Sequence, residues 1–365
     1  MYYPKEYGSF QHISGMKFTF DSTIPSSVKL DEHENFVSIE GSRRVLDVEV
    51  LNDEGVYEKL NPEKKYTRND IEKLFKFKDF TDFISAFISI QQVFTVEDFP
   101  LLVKDMEKYF LRNGIVYAEV FIAPTSFIRA GMDFFKIMDS MVAGSREIKK
   151  NHGIEIRYLI DVSRGFGVEN ALNNLDLTIK LRKKYPEVIG IGLGGDENKG
   201  PAGEFVPVFK KAEDAGLKLV AHAGEVVGAQ SIEDAVKLLN VSRIGHGISS
   251  IFSEKVQKLL CEKNVALECC PTSNVFTKHY VDKIENHPIK PLYEKGVPVT
   301  LNSDDPTFFG VELLDEFYKL YECLGFSPED LRKLIYNSFE YSFLTPEEKK
   351  EYLNAVSSQW QALFS

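Results

Sequence analysis

Leu217-Lys218-Leu219-Val220-Ala221-His222-Ala223-Gly224-Glu225 decides how this chain is read. An apolar run stops at an imidazole, and a turn of small residues then presents a carboxylate. The same change recurs where the apolar run 297–302 gives way to Ser303-Asp304-Asp305-Pro306. Polar groups just past the ends of buried strands are what a parallel α/β sheet supplies to a site, because its chemistry collects at the carboxyl ends of the strands.

On both sides of these runs, from residue 115 onward, short β-branched segments alternate with longer amphipathic ones. The pattern predicts seven strands, at 115–123, 154–161, 188–194, 217–222, 242–246, 265–269 and 297–302. Their starts lie a few tens of residues apart, room enough for the crossover helix that parallel neighbours require. The expectation is an α/β protein, a (β/α)8 TIM barrel with extra helices, whose remaining strand lies near residues 7–15. Residues 16–20 and 45–51 also read as strands, and helices are expected over 70–77, 80–93, 98–113 and the closing stretch 327–364, which would cover one end of the barrel. Texture changes near residue 70, so the chain is read as one domain over 1–365 with an irregular, divergent amino-terminal part over 1–68.

Composition narrows the function classes. The 365 residues carry a formal charge of −11, a balance that repels phosphate backbones and argues against nucleic acid as a partner. No apolar run reaches the roughly 18 residues of a membrane helix, and the start lacks a signal pattern, so a cytoplasmic protein with no membrane partner is expected. Cys261, Cys269, Cys270 and Cys323 show no C-x-x-C spacing, which points to reduced thiols, with Cys269 and Cys270 on a strand. Gly190-Ile191-Gly192-Leu193-Gly194-Gly195 satisfies G-x-G-x-x-G, but these glycines fall inside a strand and no helix start follows, so no dinucleotide site is expected.

Taken singly, His222 and His246 are each compatible with a structural role, and Asp304-Asp305 before Pro306 with a helix start. Together they suit a zinc hydrolase centre, in which imidazoles and a carboxylate hold the ion and one position stays open to water. A carboxylate that is not a ligand, Glu225, would then carry protons, and a second imidazole, His246, would stabilise the developing charge.

The chain resembles the adenosine deaminase family of zinc-dependent purine deaminases. The likeness rests on Gly192-Leu193-Gly194-Gly195-Asp196-Glu197, Ala221-His222-Ala223-Gly224-Glu225, Arg243-Ile244-Gly245-His246-Gly247, Glu268-Cys269-Cys270-Pro271-Thr272-Ser273-Asn274, His287-Pro288 and Thr300-Leu301-Asn302-Ser303-Asp304-Asp305-Pro306. The resemblance runs from about residue 70 to 350. The resemblance implies that His222, Asp304 and His12 bind zinc, Glu225 shuttles protons, His246 orients the attacking water, and Asp305 and the Gly195 backbone contact the purine. It further implies conversion of adenosine, or a related adenine-containing nucleoside, to the 6-oxo purine and ammonia.

The departure is Phe10-Gln11-His12-Ile13-Ser14-Gly15, in which Phe10 stands where the family carries a first histidine of a His-x-His strand. That substitution leaves open a relative that binds purines without turning them over. The Gly-Gly-Asp-Glu text and Phe308-Phe309-Gly310 also resemble members acting on aminodeoxyfutalosine, a menaquinone precursor. A hydrolase acting on a different C–N bond is a third reading. Phe75, Phe77, Phe80 and Phe83 are expected to pack, with a possible role in covering the purine.

Overall fold

The computed structural model describes residues 28–30 and 36–39, Phe75, Lys78, and residues 80–91 and 94–364. The expected strands at 7–15, 16–20 and 45–51 and the expected helix at 70–77, Phe75 apart, lie outside them. Contacts divide the chain into one unit of residues 1–43 with 343–365 and another of residues 44–342. In the first, Val28–Leu30 (β1) and Phe36–Ile39 (β2) pair antiparallel, a hairpin that the sequence pattern did not suggest. Its helix Pro346–Phe364 starts where Thr345 and Glu348 exchange bonds, Thr345 N–H to Glu348 Oε2 at 2.6 Å and Glu348 N–H to Thr345 Oγ1 at 3.3 Å.

The second unit carries the sheet. Tyr117–Ile122 (β3), Glu155–Ser163 (β4), Val188–Gly194 (β5), Lys218–Ala223 (β6), Arg243–His246 (β7), Ala266–Cys269 (β8) and Val299–Leu301 (β9) lie side by side in chain order, every pair parallel. Each corresponds to one of the seven expected strands. Helices fill the connections, among them Phe134–His152, Gly167–Lys184, Val206–Asp214, Ala229–Leu238 and Glu254–Lys263. Local signals set their ends: Asp133 accepts from the Phe135 N–H at the start of Phe134–His152, and Gly153 closes it with φ 72°. Lys149, Lys150 and His152 occupy its last turn, where positive charge suits the helix dipole.

The outward faces of β5 to β9 and the inner faces of their helices form one apolar layer that includes Leu193, Phe205, Phe209, Leu219, Ile232, Ile244, Leu260 and Leu267. A second layer, around Met138, Met141, Ile156, Tyr158 and Ile160, lies under β3 and β4. An ion triad shows that the sheet curls. Arg243 on β7 donates to Glu268 on neighbouring β8 at 2.7 Å and to Glu119 on β3 at 2.5 Å. In sheet order β3 and β7 are separated by three strands, so a flat sheet would keep these side chains far apart.

Helices beside the two sheet edges also meet. Tyr109, in the helix Phe99–Arg112, donates its hydroxyl to Ser303 just past β9 at 2.9 Å, and the Leu314 N–H donates to Asn113 Oδ1 at 3.0 Å. Inside β5 the glycines are explained by space. A Cβ on Gly192 would lie 2.6 Å from Asp161 Oδ1 and 2.7 Å from Phe121 Cε1, so the G-x-G-x-x-G text makes room for side chains of β3 and β4.

Candidate active site

The candidate residues gather at the carboxyl ends of the strands. β6 carries His222 and runs into the Gly224-Glu225 turn, β7 ends on His246, and Asp304 and Asp305 follow β9. Gly245 leaves room for the His222 ring, whose Cδ2 would stand 2.9 Å from any Cβ there. The His222 and His246 rings lie 5.3 Å apart. His246 Nε2 is 3.5 Å from Glu225 Oε2 and 3.8 Å from Asp304 Oδ2. Four candidates therefore face one another, although Glu225 and Asp304 are 79 positions apart in the chain.

His246 and Asp304 have left-handed backbones, with φ of 61° and 57°, a conformation that costs a non-glycine residue about 1–3 kcal/mol. Asp304 is held there from outside, since Ser273 Oγ donates to its Oδ2 at 2.7 Å. Asp305 is partly buried beside it, and burial together with the charges of Asp304 and Asp161 holds its carboxyl well above the usual range. Gly195, φ 81°, lies one residue past β5 beside Ser163 and Arg164. His12 and Phe10 lie outside the described residues.

Burial acts in opposite directions on Glu225 and His246. Glu225 is 6% exposed. Burial, reinforced by Asp304, Glu197 and Asp305, raises its carboxyl well above the ordinary value. Burial lowers His246 to about 4 against the pull of Asp304. The Glu225 backbone is fixed by Glu197, a residue the sequence reading quoted without assigning it a role. Glu197 Oε2 accepts from the N–H groups of Glu225, Val226 and Val227 at 3.0, 2.9 and 2.9 Å, while Oε1 accepts from Gly224 N–H and Ser231 Oγ. Four successive amides thus form a nest around one buried carboxylate.

The donor set fits a divalent metal. Among the described residues His222 Nδ1 is buried with no hydrogen-bond partner, and so is Asp161 Oδ1; buried polar atoms are seldom left so unless another group, an ion or water completes them. Ligand atoms of His246, Cys270 and Asp304 also lie within 4.8 Å of one another. Cys270 is a correction to the reading of both cysteines as strand residues: β8 stops at Cys269, and Cys270 begins the helix Pro271–Thr277 with its thiol donated to the Glu268 carbonyl at 3.3 Å.

Comparison with known proteins bears on this arrangement. The profile of the adenosine deaminase family matches residues 57–359. The chain belongs to the adenosine deaminase family. It is therefore a hydrolase acting on a carbon–nitrogen bond of an adenine-type compound. It is 33% identical over 286 residues to an adenine deaminase of Sinorhizobium fredii, covering 78% of this chain and 87% of that one. An aminodeoxyfutalosine deaminase of Streptomyces avermitilis is 36% identical over 271 residues, 74% of this chain and 75% of its own. In three dimensions the adenine deaminase of Arthrobacter aurescens superposes with a TM-score of 0.78 at 28% identity, over 84% of this chain and 94% of that one.

Two further features of this deaminase frame its site. An aromatic wall packs directly behind the residues that follow Glu225 and Asp305. Val226 and Val227 from one side and Phe308 and Phe309 from the other join Phe80 and Phe83 of the helix Phe80–Gln91 in one cluster, with Phe75 and Phe87 against it. Phe83 lies 5.0 Å from Phe309, and Phe75 lies 5.5 Å from Phe308. The second feature is Asp161 near the end of β4, whose carboxyl burial raises to about 6, partly offset by His222 and Arg164. A carboxylate closing the predicted strand 154–161 is the sequence signal for it.

Proposed function

We propose that this enzyme removes the exocyclic amino group of a 6-aminopurine by hydrolysis, taking up one water and releasing one ammonia and the 6-oxo purine. Adenosine, free adenine and adenine-bearing nucleosides are the substrate class. The observation that carries the reading is His246, whose Nε2 lies 3.5 Å from the buried Glu225 carboxyl and 3.8 Å from Asp304, with Glu225 held well above the usual carboxyl range. Glu225 gives its proton to a ring nitrogen as water adds to the carbon bearing the amino group, then recovers one from that water and passes it to the departing nitrogen. His246 orients the attacking oxygen, Asp305 meets the imidazole side of the purine, and the Gly195 N–H meets a ring nitrogen.

His222 and Asp304, joined by His12 from outside the described residues, would hold the metal, which we take to be zinc. When bound it supplies charge stabilisation and a water that ionises near neutral pH. We read the fold as a (β/α)8 barrel, with residues 1–68 as a divergent part of a single domain over 1–365. A cytoplasmic enzyme without nucleic-acid or membrane partners fits the acidic charge of −11, and no helix among the described residues is long and apolar enough to cross a membrane.

Aminodeoxyfutalosine as the substrate is the second reading, favoured by the 36% identity to an aminodeoxyfutalosine deaminase. The test is ammonia release and loss of adenine ultraviolet absorbance with adenine, adenosine and aminodeoxyfutalosine in parallel, alongside elemental analysis of the same preparation. Turnover of any of the three, with near one metal per chain, supports the reading. A metal-loaded enzyme inert towards all three would overturn it.

A further inference from the structure

Ser273 of the Pro271-Thr272-Ser273-Asn274 motif holds Asp304, whereas Asn274 and the His287-Pro288 pair converge on the rear nitrogen of His246. The backbone N–H of Ile289 points at His287 Nδ1 at 3.2 Å. An amide N–H can only donate, so that ring nitrogen is an acceptor and the His287 proton resides on Nε2. His287 Nε2 lies 3.1 Å from Asn274 Oδ1, and Asn274 Nδ2 lies 3.2 Å from His246 Nδ1. Direction therefore passes along the chain. His287 donates to the Asn274 carbonyl, the Asn274 amide nitrogen donates to His246 Nδ1, and the His246 proton is left on Nε2.

Turning the Asn274 amide over would set its N–H₂ against the protonated His287 Nε2 and leave buried groups without partners, at a cost of about 1–3 kcal/mol each. All three side chains are sealed from water, at 2%, 0% and 3% exposure for His287, Asn274 and His246. Burial also lowers His287 to about 3, which agrees with a neutral ring whose Nδ1 accepts.

We propose that Asn274 and His287 are positioning residues that, anchored by the Ile289 amide, lock His246 as the Nε2–H tautomer and so make it a hydrogen-bond donor to the reacting oxygen. A nitrogen carrying a proton has no lone pair for a metal. The relay therefore separates His246 from the ligand group that its proximity to Cys270 and Asp304 would otherwise suggest, and leaves proton removal to Glu225. The tautomer stands independently of the reaction, whereas its catalytic consequence rests on the deaminase reading.

The experiment is a long-range proton–nitrogen NMR correlation on the full-length, metal-loaded protein with ¹⁵N-labelled histidines, His246 being assigned by its loss in His246→Gln. The wild type is expected to show an acceptor-type Nδ1 and a protonated Nε2 at His246. In Asn274→Asp the carboxylate draws the proton to Nδ1, so the spectrum changes, and kcat falls by about 100-fold or more, as a misplaced imidazole proton does elsewhere, with KM held within about threefold. A wild-type spectrum with Nδ1 protonated, or with a metal-bound Nε2, overturns the proposal. So does an Asn274→Asp enzyme with unchanged kcat. The wild-type spectrum decides the tautomer even if the variant fails to fold. A wild type that turns over no 6-aminopurine would count against the deaminase reading alone.

Discussion

Glu225 is buried beside other carboxylates, surroundings that favour its protonated form. Glu225→Gln keeps the shape and loses that proton. We expect kcat to fall by about 10³-fold with metal content unchanged, a loss typical of a missing general acid–base group; a fall of less than tenfold in an ammonia-release assay would move the proton-carrying role elsewhere. Glu197 acts on the same residue through the backbone. Glu197→Ala strips the acceptor from four consecutive N–H groups and should lower unfolding stability by about 3 kcal/mol or more, since each buried unpaired donor costs about 1–3 kcal/mol. Urea unfolding measures the stability, and kcat of the folded fraction should drop by about 100-fold, the scale of a 1 Å misplacement. The histidines and the paired aspartates were legible in the sequence because they stand at strand ends. Glu197 was not, because nothing in linear text says which amides a carboxylate will face.

Strand β5 shows how an element's composition can be set by its neighbours. Gly192 and Gly194 are empty on the side where Asp161 of β4 stands, and a Cβ on Gly192 would come within 2.6 Å of that carboxylate. Gly192→Val should therefore destabilise by about 1–3 kcal/mol, the usual cost of overpacking. In the Asp161→Ala background the penalty should shrink by more than about 0.5 kcal/mol, the coupling that contacting residues show; strictly additive unfolding energies would contradict the contact. The seven strand positions were readable from β-branched runs, with boundaries shifted by at most a few residues. The short β1 and β2 were missed because polar residues surround them and three or four residues are too few to show a period.

For the whole molecule, the Arg243 triad joins β7 and β8 to β3, across the curl of the sheet. Arg243→Met removes the guanidinium shared by two largely buried carboxylates, and calorimetry should show a loss of about 3–5 kcal/mol. Acid should unfold the protein through its buried imidazoles. The folded pKa of His287 lies at about 3, below its ordinary 6.5, so the unfolded chain takes up the proton first as pH falls. Its contribution is fully present above pH 6.5 and is lost on descent towards 3, at about 1.4 kcal/mol per pH unit. His287→Gln should reduce the pH slope of urea unfolding by one proton within that window; an unchanged slope would show that His287 does not titrate as a buried group. By itself the sequence determined the alternation of strands and helices, the family and the polar groups at strand ends, since each is written in local periodicity or in contiguous motifs. Only the tertiary structure decided that Asp161 fills the space of two glycines, that Glu197 seizes the Glu225 turn and that the Ile289 amide sets the proton on His246. Those facts depend on distances and bond directions between segments far apart in the chain, which exist only once the sheet has curled.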